Sequence, residues 1–299
     1  WLADRSGQPY ERIDPLQVNV NAVSINPADA KIRCRAAADK VLETPRVVGY
    51  DAVGIVAAVG DKVDGFAPGD RVYYAGDVTR QGSHAEYQLV DARIASHAPH
   101  SLTDPQAAVM PLTVLTAWEA LFDRLRITPS EKKSLLIIGG AGGVGSIAIQ
   151  LAKQLTHLTV IATASRPETQ AWVREMGADH VVDHRDLVHS MKAQGLETVD
   201  YIFNVADTKG HWDAMAELIA PQGMIASIVE FDGGVDLSKL QDKSAGFIWE
   251  LMFTRTLFKT DDMAKQRDIL FQVANLIDAG RIRSTLTDTI EGFGAEQLR

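Results

Sequence analysis

The pattern of hydrophobic and polar positions changes a third of the way along the chain. Before that point the apolar stretches are short, and VNVNAVSI (residues 18–25) alternates apolar and polar residues as a half-buried strand does. Glycines interrupt VVGYDAVGIVAAVG (47–60), and the turn residues of DKVDGFAPGD (61–70) precede the strand-like RVYY. The first third therefore predicts a β-rich domain built on a curved sheet or barrel.

The pattern becomes helical from Thr103, and from Ser134 onward strands and helices alternate. Near-continuous apolar segments such as SLLIIG (134–139) and LTVIATA (158–164) are separated by amphipathic segments such as VGSIAIQLAKQL (144–155). Strands that are buried on both faces and joined by helices form a parallel sheet. We therefore predict an α/β protein in which a β-rich domain precedes a doubly wound parallel-sheet domain.

The last part of the chain is predicted to fold back onto the first domain. It combines a helical segment, DMAKQRDILFQVANLIDAG (262–280), with a strand-like segment, STLTDTI (284–290). The chain begins with Trp1 instead of methionine and closes on FGAEQLR, which is typical of a first helical turn. We therefore expect further residues at both ends of the natural protein.

Composition narrows the range of partners. The 299 residues carry 30 Lys and Arg against 39 Asp and Glu, a formal charge of −9, without a basic block, which argues against binding to nucleic acid or to an anionic membrane. No apolar run reaches the roughly 18 residues of a membrane span. Cys34 is the single cysteine, which excludes an intrachain disulfide and a thiolate metal cage and fits a reducing cytoplasm.

A glycine-rich loop connects the first strand and first helix of the alternating region. Gly140, Gly142 and Gly145 stand in G-x-G-x-x-G spacing, directly after a strand and at the start of a helix. In such a loop the first glycine permits the tight turn, the second admits a pyrophosphate, and the third lets helix and strand pack closely. The alternative is a turn that needs glycine only for its dihedral angles. The surrounding alternation favours dinucleotide binding.

The end of the second strand of this region indicates which dinucleotide is bound. A carboxylate there would accept from the ribose hydroxyls of NAD, but the sequence reads TASRPET, with Ser165 followed by Arg166. A guanidinium suits a 2′-phosphate. The alternative is that Arg166 is a solvated charge at a helix start. The sequence therefore predicts NADPH as the cofactor.

Several longer segments resemble the medium-chain dehydrogenase/reductase superfamily. They are NPADAKIR (26–33), GYDAVGIVAAVGDKVDGFAPGDRV (49–72), GSHAEYQLV (82–90), LTAWEAL (115–121), GGAGGVGSIAIQLAK (139–153) and GADHVVDH (177–184). The chain is most similar to the quinone oxidoreductase branch and, within it, to the zinc-type alcohol dehydrogenase-like proteins. The resemblance implies a GroES-like β-rich catalytic domain over residues 1–112, completed by 262–299. It also implies a Rossmann cofactor domain over 113–261 and a homodimer.

The resemblance also assigns roles to individual residues. Asn26, Tyr50 and Asp51 match residues of the active cleft, where Tyr50 is suited to donate a hydrogen bond to an acceptor oxygen. The alternatives are an Asn-Pro turn at Asn26 and simple packing at Tyr50.

For the cofactor, Thr116 matches a hydroxyl at the nicotinamide ribose or amide, and Gly143 and Val144 match backbone contacts to the pyrophosphate. His184 matches a residue beside the adenosine ribose. Arg255 matches a basic residue that reaches the phosphates, with a surface salt bridge as the alternative.

Zinc is not expected, although the subgroup is named for it. The first ligand position of the zinc enzymes is Asn26, the His-Glu pair reads Tyr50-Asp51, and the late cysteine falls near Leu112 or Thr113. Zinc needs three or four converging N, S or O ligands. Because alcohol oxidation loses its Lewis acid without zinc, we expect hydride transfer from NADPH to a small quinone or activated alkene. The alternatives are a cofactor-binding protein with little turnover and a zinc-dependent alcohol dehydrogenase.

Overall fold

The structure is a computed structural model that describes residues 15–38, 41–292 and 294. The chain divides into two compact units. The first runs to Leu112 and resumes at Phe253, and the second spans Thr113–Met252. Residues 253–261, which the sequence analysis assigned to the cofactor domain, therefore lie in the first unit.

The first unit contains a five-stranded antiparallel sheet. Its strands are β1 (Pro15–Val23), β2 (Ala52–Val59), β3 (Arg71–Tyr74), β4 (Tyr87–Asp91) and β5 (Ala95–His97), in the order β4-β1-β2-β3-β5. Register shifts in the pairing of β1 with β2 bend the sheet, as the glycine-interrupted pattern predicted. Alternate side chains such as Leu16, Val18, Val56 and Val72 point into one buried cluster.

Short helices accompany this sheet. They are α1 (Pro27–Ala37) and α2 (Asp104–Ala108), with α8 (Thr254–Phe258) and α9 (Lys265–Asp278) from the returning segment. Helix α9 packs on β5, and the Tyr73 hydroxyl donates to the carbonyl of Leu270 at 2.5 Å. The predicted strand over residues 284–290 is wrong, because that segment joins no sheet and is irregular. Ser284 instead donates its hydroxyl hydrogen bond to the carbonyl of Gln106.

The second unit contains a six-stranded parallel sheet. Its strands are β6 (Ser134–Ile138), β7 (Thr159–Thr163), β8 (His180–Val182), β9 (Val199–Asn204), β10 (Ile219–Ser227) and β11 (Gly246–Trp249). Their order is β11-β10-β9-β6-β7-β8, so the sheet winds outward in both directions from the β6–β9 pair. The prediction of an α/β fold with a doubly wound parallel sheet is confirmed.

Helices α3 (Pro111–Trp118), α4 (Gly143–Leu155), α5 (Pro167–Glu175), α6 (Leu187–Lys192) and α7 (Trp212–Leu218) belong to this part of the chain. Residues 119–124 form a π-helical turn after α3. Leu136, Ile161, Ile202 and Ile225, from four neighbouring strands, meet Met215 of α7 in one buried cluster. No helix within the described residues is long and apolar enough to span a membrane.

Candidate functional site

A groove of about 440 Å³ opens at the carboxyl ends of the strands of the second unit. It lies where the winding direction changes, because β7 flanks β6 on one side and β9 flanks it on the other. Open α/β sheets bind their ligands at this position. The groove is lined by Gly139 and Gly142 after β6, Ser165 and Arg166 after β7, His184 after β8, and Ala206 and His211 after β9.

Two glycines of the predicted motif allow strand, loop and helix to pack closely. A β-carbon added at Gly145 would lie 2.3 Å from the carbonyl oxygen of Gly139. At Gly140 it would lie 2.8 Å from the β-carbon of Ala162 on the neighbouring strand. Real β-carbons do not approach other atoms this closely, so α4 packs against the loop because Gly145 lacks a side chain, and the loop packs against β7 because Gly140 lacks one.

Gly142 has different surroundings and lies at the N-cap of α4. A β-carbon there would meet only the carbonyl oxygen of Gly139, at an ordinary 3.5 Å, among the described residues. The free N–H groups of this helix start favour an anion. Gly142 does not adopt the left-handed backbone, because its φ is −76°, whereas Gly139 carries the left-handed value of +91°. Sequence analysis missed Gly139, although the adjacent glycine pair directly after the strand is a turn signal.

The segment after β7 forms the next part of the groove. The hydroxyl of Thr163 accepts a 2.9 Å hydrogen bond from the Gly139 N–H and so ties this segment to the glycine loop. Ser165 is half-buried, and the side chain of Arg166 is 71% exposed. Arg166 forms a 2.9 Å ion pair with Glu168, an acid that the sequence analysis left out of the site.

Two histidines, His184 after β8 and His211 after β9, also line the groove. His184 is exposed, and its ring meets that of His211 edge to face at a centroid distance of 6.2 Å. Burial lowers the pKa of His211, and His184 lowers it further, whereas Asp207 raises it. Sequence analysis did not single out His211. The sequence offered one signal for His211, which is its position after a strand of the parallel sheet and just before a helix.

A buried polar network fixes the segment that carries His211. The Asn204 amide at the end of β9 donates to the hydroxyls of Thr208 and Ser227, at 3.1 and 3.0 Å. The two hydroxyl oxygens lie 2.6 Å apart, and all three side chains are fully buried. The network joins the carboxyl ends of β9 and β10 beneath the groove wall.

The remaining predicted cofactor residues lie outside the groove lining within the described residues. Thr116 is buried in α3, Gly143 is exposed at the start of α4, and Val144 beside it is half-buried. Arg255 belongs to the first unit, where it is buried and pairs with Asp262 at 3.0 Å. The side chain of Arg255 is 4% exposed and that of Asp262 is 43% exposed, so this ion pair is buried on the arginine side and is not a surface salt bridge.

A second polar cluster in the first unit surrounds Asp51. Its Oδ2 accepts from the Ser24 hydroxyl at 2.7 Å and the Asn26 amide at 2.9 Å, and its Oδ1 accepts from the Leu112 N–H at 2.8 Å. Burial raises the pKa of Asp51 to about 7 in spite of these three donors. The structure thus joins two of the predicted cleft residues, Asn26 and Asp51, in one hydrogen-bonded cluster.

Asn26 is also the N-cap residue of α1, so the chain turns into the helix at the Asn-Pro pair, as the sequence anticipated. Its N–H donates to the carboxylate of Asp29 at 2.7 Å, in a reciprocal capping arrangement. Its side chain is thereby placed at the helix start while its amide reaches Asp51. The turn and the polar contact are both present at this residue.

Tyr50 is fully buried and packs edge to face on Phe253, with a centroid distance of 5.4 Å. Its hydroxyl oxygen makes no hydrogen bond of ordinary geometry within the described residues. Burial raises the pKa of Tyr50, and Arg46 partly offsets that rise. The aromatic ring thus has the packing role that was one of its two expected roles.

The residues at the predicted zinc positions do not fit a zinc ion. Asn26, Tyr50 and Leu112 offer neither a thiolate nor an imidazole, and both oxygens of Asp51 are already engaged by hydrogen bonds. In the part of the chain that the structure describes, no group of three or more His, Cys, Asp and Glu side chains is arranged to hold a metal.

Two family models match the chain, one in each predicted domain. Residues 13–100 match the alcohol dehydrogenase GroES-like domain, and residues 143–245 match the zinc-binding dehydrogenase family. A zinc-type alcohol dehydrogenase-like protein of Staphylococcus aureus strain Mu50 is 46% identical over 97% of this chain and 87% of its own length. A 2-methylene-furan-3-one reductase of Solanum lycopersicum is 33% identical over 65% of this chain and 54% of its own length.

Solved structures have the same fold. A protein from Rhizobium etli described as a zinc-dependent alcohol dehydrogenase is 46% identical, covers 95% of this chain and 83% of its own, and superposes with a TM-score of 0.88. The Escherichia coli quinone oxidoreductase complexed with NADPH is 26% identical, covers 90% and 81%, and has a TM-score of 0.73. These matches confirm the GroES-like domain and the predicted family. The chain belongs to the zinc-type alcohol dehydrogenase-like proteins of the medium-chain dehydrogenase/reductase superfamily, a family of oxidoreductases.

Proposed function

We propose that this protein is a zinc-independent, NADPH-dependent oxidoreductase that transfers a hydride to a quinone or to an activated alkene such as an enone or alkenal. The observation that carries the proposal is the groove at the winding change of the parallel sheet. Its glycine loop leaves open space at Gly142, and a guanidinium stands where an NAD-specific site has a carboxylate.

The residues of the groove suit a dinucleotide. The backbone at Gly142 and the start of α4 suit the pyrophosphate, and Ser165 and Arg166 suit a 2′-phosphate. A bound nicotinamide dinucleotide supplies the hydride. The protein's own contribution is to bind and orient this group and to keep water away from it.

The hydrogen-bonding residues around Asp51 support a reaction in which the hydride acceptor needs no Lewis acid. Quinones and enones delocalise the incoming charge, whereas alcohol oxidation relies on stabilisation of an alkoxide. The tomato relative is named for reduction of a methylene-furanone, an activated alkene, and the E. coli relative for reduction of quinones. Both acceptor classes therefore belong to the proposal.

The cluster of Asp51, Ser24 and Asn26 is the proposed source of polar contacts in the catalytic cleft. A carboxyl whose pKa lies near 7 is able to hold or release a proton at neutral pH. Tyr50 and Asp51 follow one another in the chain, and the hydrogen bonds from Ser24, Asn26 and Leu112 orient the carboxyl group of Asp51.

We also propose that the protein is a cytoplasmic homodimer. Strand β11 ends one side of the parallel sheet within the described residues, and Trp249 on it is 46% exposed. Leu251, two residues further, is 50% exposed. An exposed strand edge with large apolar side chains is a site for pairing with a second chain. Sedimentation equilibrium tests this proposal: the mass of a dimer is expected, and a monomer at micromolar concentration would contradict it.

Turnover and metal content test the function together. We expect NADPH oxidation with at least one member of a panel of quinones, enones and alkenals, unchanged by a chelator, in protein without stoichiometric zinc by elemental analysis. One tightly held zinc per chain whose removal abolishes activity would overturn zinc independence. NADPH binding without turnover on any acceptor would instead indicate a cofactor-binding protein.

A further inference from the structure

The histidine pair of His184 and His211 is part of the groove lining. His184 follows β8, which lies outside β7 in the sheet, and His211 follows β9 on the other side of β6. Although they come from opposite sides of the winding change, their rings lie 6.2 Å apart and both line the groove. Arg166, which is proposed to meet the 2′-phosphate, lines the same groove.

We propose that the histidine pair takes up a proton at His211 when a 2′-phosphorylated dinucleotide occupies the groove, and that this uptake adds to the preference for NADPH over NADH. The inference rests on the proposed dinucleotide site. It adds one residue, His211, to that site and links the uptake of a proton to the binding of the cofactor.

The charges around the pair make such uptake favourable only with an anion present. Burial and the neighbouring imidazole disfavour a charged His211 in the free protein, and Asp207 offsets this only in part. A phosphate carries about −1.5 to −2 charges at neutral pH, and such an anion would stabilise an imidazolium beside it. NADH lacks the 2′-phosphate and would not charge the pair.

Charged groups in the segments next to the pair belong in this balance. The glycine loop from Gly139 to Val144 carries none. The other segments contribute Arg166 paired with Glu168 after β7, Asp183 paired with Arg185 beside His184, and Asp207 with Lys209 before His211. Because an arginine side chain keeps its charge at neutral pH, and Arg166 and Arg185 each have a carboxylate partner, the proposed proton is assigned to His211.

Calorimetry of cofactor binding counts the protons directly. NADPH and NADH are titrated at pH 7.5 in buffers with different ionisation enthalpies, a pH at which the ligand phosphate, with its pKa near 6, is almost fully ionised. We expect uptake of at least about 0.3 proton per NADPH bound and close to none for NADH. His211→Gln should lose most of this uptake and weaken NADPH binding about tenfold, with NADH affinity kept within about twofold.

His157→Gln is the matched control, because His157 is an exposed histidine outside the groove lining. It should keep both the uptake and the affinity. Retained NADH binding by His211→Gln shows that this variant is folded. NADPH binding without proton uptake, equal uptake with both cofactors, or uptake that survives in His211→Gln would overturn this inference while leaving the dinucleotide site intact. Failure of the unmodified protein to bind either dinucleotide would overturn the proposed function and this inference with it.

Discussion

At the scale of single residues, a β-carbon has room at Gly142 and none at Gly145. We expect Gly142→Val to fold with nearly unchanged stability but to lose NADPH affinity by more than about tenfold, because its side chain would fill the space proposed for the pyrophosphate. Gly145→Ala should instead lower the urea midpoint, since its β-carbon would collide with the Gly139 carbonyl. Fluorescence titration and urea unfolding of both variants measure the contrast. Unchanged NADPH binding by Gly142→Val would show that the loop is only a turn.

Substitutions of Arg166 and of Glu168 are expected to change NADPH affinity in opposite directions. Arg166→Ala should weaken NADPH binding about tenfold and leave NADH nearly unaffected, because the guanidinium has no phosphate to meet in NADH. Glu168→Gln should strengthen NADPH binding, since Glu168 now pairs with that guanidinium at 2.9 Å. The gap between the two cofactors should shrink at high salt. Parallel losses for both cofactors in Arg166→Ala would contradict the assignment.

Protonation of Asp51 is expected to make the stability of the protein depend on pH. Its pKa is raised by burial to about 7, above its ordinary value, so between pH 4 and 7 the folded protein binds a proton that the unfolded chain releases. Stability from this group is therefore present at low pH and falls as pH rises through that window, by about 2–4 kcal/mol. Urea unfolding at pH 5 and 8 should show a smaller fall for Asp51→Asn than for the unmodified protein. Equal falls would show that Asp51 stays ionised.

At the scale of elements, hydrophobic periodicity predicted most strands and helices because their packing is decided locally. Hydrophobic periodicity failed where the packing partners of a segment lie far away in the sequence. The helical stretch over residues 104–125 is divided into α2, α3 and a π-helical turn, with Pro111 at the start of α3. The strand-like 284–290 has the alternation of a strand, but no sheet edge in the structure pairs with it.

The site shows the same division between local and distant information. The glycine loop follows from spacing within one segment, and so does the place of Arg166 at the end of β7. The contacts between His211 and His184, and between Asp51 and Leu112, join residues 27 and 61 positions apart and depend on the folded chain. No spacing rule in one sequence predicts them.

The network under the groove wall yields a prediction about an element. Thr208→Val preserves shape but removes the hydroxyl that joins Asn204, Ser227 and the carbonyl of Val229. We expect a loss of about 1–3 kcal/mol in the free energy of unfolding, because buried polar groups lose a partner, together with weaker NADPH binding. Thr198→Val, at an exposed position, serves as the control and should change neither quantity. A Thr208→Val variant as stable as this control would show that the network does not fix the wall.

At the scale of the whole molecule, the two units carry different parts of the proposed reaction. The second unit holds the groove for the dinucleotide, and the first holds the Asp51 cluster. The family matches fall in the same two regions. An oxidoreductase with this division needs the cofactor and the acceptor together, so binding data alone do not establish turnover.

Hydride transfer itself is the central claim, and one isotope measurement tests it most directly. NADPH deuterated at both C4 positions is mixed with the protein, a chelator and an enone or quinone acceptor, and the product is examined by mass spectrometry. For the enone, we expect one deuterium on carbon in the reduced product, absent with Gly142→Val. A quinone's incoming hydrogen exchanges with water, so loss of deuterium from the cofactor is followed in that case. No reduced product with either acceptor class, or an enone product without deuterium, would contradict the account.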